Sequence, residues 1–274
     1  MQDLDFRVDE TLCVRCGECA QDCPASVILL DDLPRLTNPQ GCIRCQHCLA
    51  VCPTGALSIL GRNPEDSEPL EGGIPDFRSL AVLVKGRRSV RRYQLRDLDP
   101  ALVRSLLDAA CHAPTGVNSQ GVLFTLVPGL EAMRGVRAQV LDALERLKRE
   151  GRLPEGYMGR VLGWAVKVWR EQGRDAVFRD APHLLVASAP ESVPSPVEDC
   201  LAALTTFELL ACSAGVGTLW NGMVMAALKL CPELRDRLGI PRDHRLGYAM
   251  TFGLPDVAYR RTVQRGPARV NVVS

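Results

Sequence analysis

The sequence predicts an α+β chain in two parts, a small N-terminal domain and a larger second one. Three observations carry this. Eight of the twelve cysteines fall in two matching runs that end at Cys23 and Cys52. A stretch rich in proline, glycine and acid follows them. Beyond it, helical and strand patterns alternate without the regular βαβ order of a parallel sheet. The composition is that of an ordinary soluble chain, with 274 residues, 46% hydrophobic, 24% charged and a net charge of +1. That balance gives no nucleic-acid or membrane-surface footprint.

The first domain is read from its cysteines. The runs are Cys13-x2-Cys16-x2-Cys19-x3-Cys23-Pro24 and Cys42-x2-Cys45-x2-Cys48-x3-Cys52-Pro53. Three thiolates at this spacing wrap three corners of an iron–sulfur cubane, and the fourth, just before proline, lies too far along to close the same cluster. One [4Fe–4S] cluster then takes Cys13, Cys16, Cys19 and Cys52, and the second takes Cys42, Cys45, Cys48 and Cys23. Structural zinc prefers two C-x2-C knuckles a dozen or more residues apart. Disulfides need an oxidising compartment, and Met-Gln-Asp-Leu-Asp-Phe has neither the basic nor the apolar region of an export signal. The runs align as a repeat offset by 29 residues, Cys13 on Cys42. Residues 1–62 resemble the bacterial two-cluster ferredoxin module, which implies a pseudo-twofold fold of short strands and helices around two clusters. Cys111, Cys200, Cys212 and Cys231 stand singly in apolar or helical sequence and read as small buried hydrophobes.

Residues 63–77 read as an inter-domain linker, which leaves 78–274 as the second domain. Asp99-Pro100 sets an N-cap and a first-turn proline for a helix to about Cys111. Residues 121–127 and His183–Ala189 have strand character, and a long amphipathic helix covers 130–150. Ser195-Pro196-Val197-Glu198 is a capping box that opens a nearly all-apolar helix ending at Gly215. A helix apolar on almost every face is buried all round, in a core or at a subunit interface. A helix near 224–238, a strand at 246–252 and a basic, proline-interrupted tail complete the domain. The longest transmembrane candidate, Leu201 to Val216, contains Thr205, Thr206, Glu208 and Ser213, which argues against a membrane span.

Chemistry in the second domain is read from four segments. Arg87-Arg88-Ser89-Val90-Arg91 gathers guanidinium groups and a hydroxyl suited to a phosphate. Ala113-Pro114-Thr115-Gly116-Val117-Asn118-Ser119-Gln120 is a polar turn of the kind that contacts ligands. Gly215 to Gly222 is glycine-rich, and Tyr259-Arg260-Arg261 returns positive charge. Taken together and in this order, they resemble the nitroreductase family of FMN enzymes, over residues 78–274. The resemblance implies that Arg87, Arg88 and Ser89 meet the FMN phosphate or ribityl chain, and that Arg91 approaches the pyrimidine edge. It implies that Pro114, Thr115 and Asn118 come from the partner of a homodimer. Leu219 to Gly222 should face the ring, with the Asn221 amide near N5, and Arg260 or Arg261 should complete the phosphate cradle. Two departures are visible: Gly121-Val122 follows where many relatives continue Pro-Trp, and Asn221 stands where some carry glutamate.

A cubane passes one electron at a time and a flavin accepts electrons singly or as a hydride, so the two together let one-electron donors drive two-electron chemistry. The expected activity is transfer from an external donor, reduced ferredoxin or NAD(P)H, through the clusters to FMN. From FMN the electrons pass to a small organic acceptor such as a nitroaromatic, quinone or enone. A carrier or sensor serving a protein partner, and a flavin-modifying or dehydrogenating enzyme of the same fold, are the alternatives. No side chain has to act as a nucleophile. His112, His183 and His244 read as structural, and His47 lies within the second cysteine loop. Tyr157, Trp164, Trp169 and Phe178 concentrate aromatic surface, either as helix packing or as a lid over the flavin. Oxygen-sensitive clusters without export signal or anchor make the cytoplasm the expected compartment.

Overall fold

A left-handed residue opens each short helix of the cysteine-rich region, and the local fold builds from there. The computed structural model describes residues 4–273. Met1–Asp3, part of the segment read above for export signals, and Ser274 lie outside the described residues. Two compact units form, one running to Pro75 and including Val117–Ser119, the other made of the rest.

The first unit contains β1 (Arg7–Val8), α1 (Glu18–Gln21), β2 (Ile28–Leu30), β3 (Pro34–Leu36), α2 (His47–Ala50) and β4 (Leu57–Ser58). β1 pairs antiparallel with β4, and β2 with β3. The sequence repeat is also a backbone repeat. Arg15 and Arg44 have φ +55° and +58°, Gly17 and Gln46 +81° and +61°, and Ser26 and Gly55 +51° and +65°. Gly17 and Gln46 are the N-caps of α1 and α2. An L residue rarely adopts these angles, so matched left-handed turns in both runs show that each loop is bent to one required shape. The core is small: Cys19, Val27, Ile28, Cys48, Leu49, Leu57 and Ile59.

The second unit contains α3 (Phe77–Gly86), α4 (Pro100–Ala110), β5 (Leu123–Val127), α5 (Gly129–Arg149), α6 (Gly156–Gln172), β6 (His183–Pro190), α7 (Pro196–Ser213), β7 (Gly217–Trp220), α8 (Gly222–Leu230), α9 (Pro232–Arg237) and β8 (His244–Gly253). The strands form one antiparallel sheet in the order β5-β6-β8-β7. Successive side chains of a strand point to opposite faces, and β6 shows the result. Leu184 and Val186 join Met133, Val140, Leu144, Leu162 and Val224 on one side. Leu185, Ala187 and Ala189 join Leu106, Leu204, Phe207 and Phe252 on the other. The sheet is thus covered by α5, α6 and α8 on one face and by α4 and α7 on the other.

Several sequence expectations change here. The helix near 224–238 is two, because Pro232 has no N–H and forces Cys231 out of the helical region (φ −127°, ψ 84°). α7 begins at the expected proline, but Ser195 forms no side-chain cap. Its hydroxyl stands against Gly116, where a Cβ would collide with it. Within one chain α7 buries Cys200, Leu204, Phe207 and Ala211, while Leu201 stands on its exposed side. Cys200 and Cys231 are buried as expected and burial pushes the Cys200 thiol up to about 12, but Cys111 is exposed at the end of α4.

β7 carries a close approach. The segment after α3 lies alongside, with Val90 N–H donating to Thr218 O at 2.8 Å, and a Cβ on Gly217 would stand 2.6 Å from Val90 Cγ2. Gly217→Ala is expected to destabilise the second unit by about 1–3 kcal/mol, the usual cost of overpacking. Urea unfolding measures this, and an unchanged midpoint would contradict it.

Candidate functional site

The cysteine runs enclose two cavities. One is lined by Cys13, Cys16, Cys19 and Cys52. The other is lined by Cys23, Cys42, Cys45 and Cys48. Each cavity takes three cysteines from one run and the fourth from the other. Among the described residues no group of three or more His, Cys, Asp or Glu closes on a single ion; the thiols surround a space instead. Burial pushes the Cys48 thiol up to about 11. Burial, then the neighbouring Cys52 and Cys16, raises Cys19. Burial also acts upward on Cys52, but hydrogen bonds from Thr54, Ala56 and Leu57 outweigh it and hold that thiol below the ordinary range. Ala56 N–H donates to Cys52 Sγ at 3.3 Å and Arg44 N–H to Cys42 Sγ at 3.4 Å. His47 Nδ1 lies 3.1 Å from Asp22 Oδ2 at the second cavity.

In the second unit, two of the four segments singled out from sequence are neighbours, and the chain leading to the tail runs beside the first of them. Ser89 bridges to Thr218 and Tyr93 to Pro255, and Asp256 N–H donates to Arg92 O at 2.9 Å. Arg87 is fixed by Glu208, whose Oε1 accepts from Arg87 Nη1 at 3.0 Å and from Thr218 Oγ1 at 3.1 Å. The Glu208 side chain is only 7% exposed, so the arginine is anchored inside the fold. Arg88 Nε donates back to Arg87 O at 2.5 Å and Arg91 Nη1 to Ser89 O at 3.2 Å. Arg260 and Arg261 are exposed in the tail.

The fourth segment divides. Pro114 and Thr115 belong to the second unit, where Thr115 Oγ1 accepts from Gln120 N–H at 3.1 Å. Val117–Ser119 group with the first unit, and Asn118 Nδ2 donates to Ile43 O at 3.0 Å. Val117, Asn118 and Gln120 have φ +48°, +54° and +50°, a run of strained residues of the kind that clusters at ligand clamps.

Asn221 has another task than the one the sequence suggested. Its N–H donates to Ala249 O at 2.8 Å, its Nδ2 to Val177 O at 2.8 Å, and its Oδ1 caps α8 by accepting from Val224 N–H at 3.1 Å. At 2% exposure it clasps the turn at Val177 to the start of α8. Gly222, at the first position of α8, is half-buried. A Cβ there would stand 3.2 Å from the Tyr248 hydroxyl and 3.8 Å from Met158, and the Tyr248 ring lies 5.3 Å from that of Trp220. Sequence reading missed Glu208, Met158 and Tyr248. Only Glu208 left a signal, as a carboxylate within an apolar helix.

The aromatic concentration splits. Phe178 is wholly buried and Trp169 packs on the core, whereas Tyr157 and Trp164 are exposed on α6. Arg174 lies over the Trp164 ring, 5.7 Å from its centroid. His183 is structural: it is buried, stacks on Phe252 at 4.9 Å and accepts from Leu98 N–H at 3.0 Å. Burial lowers its pKa and so favours the neutral ring. Among the described residues no helix is long and apolar enough to cross a membrane.

Comparison with known proteins fits this geometry. A protein of Methanothermobacter thermautotrophicus, provisionally named NADH dehydrogenase/NAD(P)H nitroreductase, is 26% identical over 144 residues, 51% of this chain and 59% of that relative. The chain therefore spans about three fifths of the length of that curated relative. An FMN-bound nitroreductase of Bacteroides fragilis superposes with TM-score 0.53 at 21% identity, covering 70% of this chain and 98% of that one. An FMN-dependent nitroreductase of Clostridium difficile gives 0.55 at 18%, covering 72% and 100%. These similarities establish the fold. Residues 5–53 match the model of the 4Fe-4S dicluster domain. Residues 84–254 match the model of the nitroreductase family, and since they are more than half of the sequence, the chain belongs to that family.

Proposed function

We propose that the protein is an FMN-dependent oxidoreductase that passes electrons from an external donor, through two [4Fe–4S] clusters, to a small organic acceptor. The observation that carries this reading is the pair of four-cysteine cavities, each assembled from both runs, in a chain of the nitroreductase family. Bound FMN supplies hydride-type two-electron chemistry, and each cluster supplies one-electron transfer.

The chain's own residues set the conditions for that chemistry. Cys13, Cys16, Cys19 and Cys52 would hold one cluster, and Cys42, Cys45, Cys48 and Cys23 the other. The N–H groups of Ala56 and Arg44 reach the sulfurs, and hydrogen bonds to ligand sulfur tune potential. Arg87, held by Glu208, would offer the FMN phosphate a fixed guanidinium, with Arg88, Ser89 and one of Arg260 and Arg261 completing the cradle. Arg91 would meet the pyrimidine edge, and Leu219 to Gly222 the ring. With Asn221 clasped inside the fold, the N–H of Gly222 would be a donor at that position. Tyr248, Met158 and Trp220 would shape the acceptor's face, and Tyr157 and Trp164 its outer wall.

A homodimer suits the surface of the second unit. α3 buries none of its residues, and Phe77, Leu80, Val82 and Val84 stand exposed with Leu201 of α7. Cluster chemistry fits a reducing, cytoplasmic setting. Protein purified without oxygen is expected to carry about eight irons per chain, in two four-iron clusters, with equivalent sulfide and one FMN. Titration with NADH, NADPH and reduced ferredoxin, followed by nitroaromatic, quinone and enone acceptors, identifies both ends of the path. Absence of bound FMN, or of iron, would sink the proposal.

A further inference from the structure

Residues 173–182 form a turn that is fixed more firmly than a surface connection requires. Asp175, its carboxylate wholly buried, accepts N–H bonds from Val177, Phe178 and Asp180 at 3.0, 2.8 and 3.2 Å. Asn221 Nδ2 clasps Val177 O. Ala176, Val177, Phe178 and Ala181 are all fully buried. What this scaffold holds out is Arg179, at φ +61° and followed by Asp180 at +54°. Two consecutive left-handed non-glycine residues persist only where their surroundings over-determine them, and such residues concentrate at ligand sites.

Among the described residues the Arg179 side chain has no hydrogen-bonding or ion-pair partner, although it is half-buried. The two nearest carboxylates face Arg137 instead, Asp175 at 2.8 Å and the adjacent Asp180 at 3.8 Å. Burial, then the charges of Arg91 and Arg174, lower the Arg179 pKa, which is the mark of a cation placed among cations. Packing puts the turn against the segment that carries Arg91: Ala181 shares a buried cluster with Val90 and Tyr93. At its other end the clasp to Asn221 ties it to the residue before Gly222. A half-desolvated guanidinium without a counter-charge calls for an anion.

We propose that Arg179 is a second guanidinium, beside Arg91, for the pyrimidine edge of bound FMN, where it stabilises the negative charge that reduction places there. Reduction would take up two electrons from the donor and one proton from solvent and leave one negative charge on the ring system, which nearby cations favour. This rests on the functional reading above and deepens it by naming a residue that sets the flavin's potential.

The test is to prepare Arg179→Gln, Arg179→Gly and Arg179→Lys anaerobically, and to measure FMN content, flavin and cluster potentials, and oligomeric state. Arg179→Gly also relieves the left-handed backbone, so loss of folding does not limit the experiment. The neutral variants are expected to keep FMN and to shift the oxidised-to-reduced ratio at a given potential about tenfold toward oxidised, or about 30 mV for a two-electron couple. The lysine variant is expected to retain most of the wild-type value, and cluster potentials to stay unchanged. Retained FMN with an unchanged flavin potential overturns the inference. So does an unchanged potential with a weakened dimer, which would make a carboxylate of the partner subunit the anion. Wild-type protein without FMN overturns the functional reading itself, and the inference with it.

Discussion

Stripping iron from the protein, with a chelator and a mild oxidant, is expected to unfold residues 4–60 while the second unit stays folded. The reason lies in the size of the first unit's core. Seven residues form it, and two of them, Cys19 and Cys48, line the cavities. A domain this small rarely stands on hydrophobic burial alone, and natural examples add metals or disulfides. Structural metal sites contribute on the order of 10 kcal/mol, more than the whole stability of many domains. The left-handed residues Arg15, Arg44 and Gln46 add strain that only occupied loops repay. Hydrogen exchange followed by mass spectrometry reads the outcome segment by segment. Protection that survives across 4–60 after iron loss would show that the apoprotein's own packing suffices.

Asp175→Ala is expected to cost the second unit about 3–5 kcal/mol, the range for breaking a buried ion pair by removing one partner. The carboxylate has no exposure and serves three backbone N–H groups as well as Arg137, whose side chain is 17% exposed. Arg137 is already poorly satisfied. Its Nε lies 2.8 Å from the carboxylate without hydrogen-bond alignment, and Nε and Nη2 are buried without a hydrogen-bond partner among the described residues. Losing Asp175 leaves that guanidinium uncompensated and three N–H groups orphaned. Asp175→Ala with Arg137→Met should recover part of the loss, since removing both charges is often close to neutral, but not the part owed to the N–H groups. Denaturant unfolding of the single and double variants separates the two contributions. A loss below about 1 kcal/mol in the single variant, the scale of an exposed pair, would mean that water replaces the carboxylate.

How legible these features were depends on whether the cause is local. Cysteine spacing dictates which thiols can share a cavity, and the structure gathers the two sets that the spacing suggested. Asp99-Pro100 opens α4 because capping needs only the next few residues: Asp99 Oδ1 accepts from Ala101 N–H at 2.9 Å. Ser195-Pro196 carries an equally strong local signal, yet Gly116, distant in sequence, occupies the neighbourhood of the hydroxyl and the cap is not formed. β7 was hidden by its glycine, because what makes it a strand is pairing with β8 along Thr218↔Phe252 and Leu219↔Thr251. Asn221 could be placed in the right segment but not given its partners, since Val177 and Ala249 reach it only through the tertiary fold. Arg179 left no trace in the sequence. Its significance arises from backbone strain, burial and the absence of a partner, none of which is written in composition or period.

The lending of one cysteine by each run to the opposite cavity bears on how the protein matures. A first cluster, delivered to either set, joins both runs and draws the second set into shape before its iron arrives. Loading is therefore expected to be cooperative, with half-loaded chains scarce. The same exchange constrains change over generations: neither run can be deleted, or decay to a single-cluster form, without stranding three thiolates of its neighbour, so the pair is inherited or lost together.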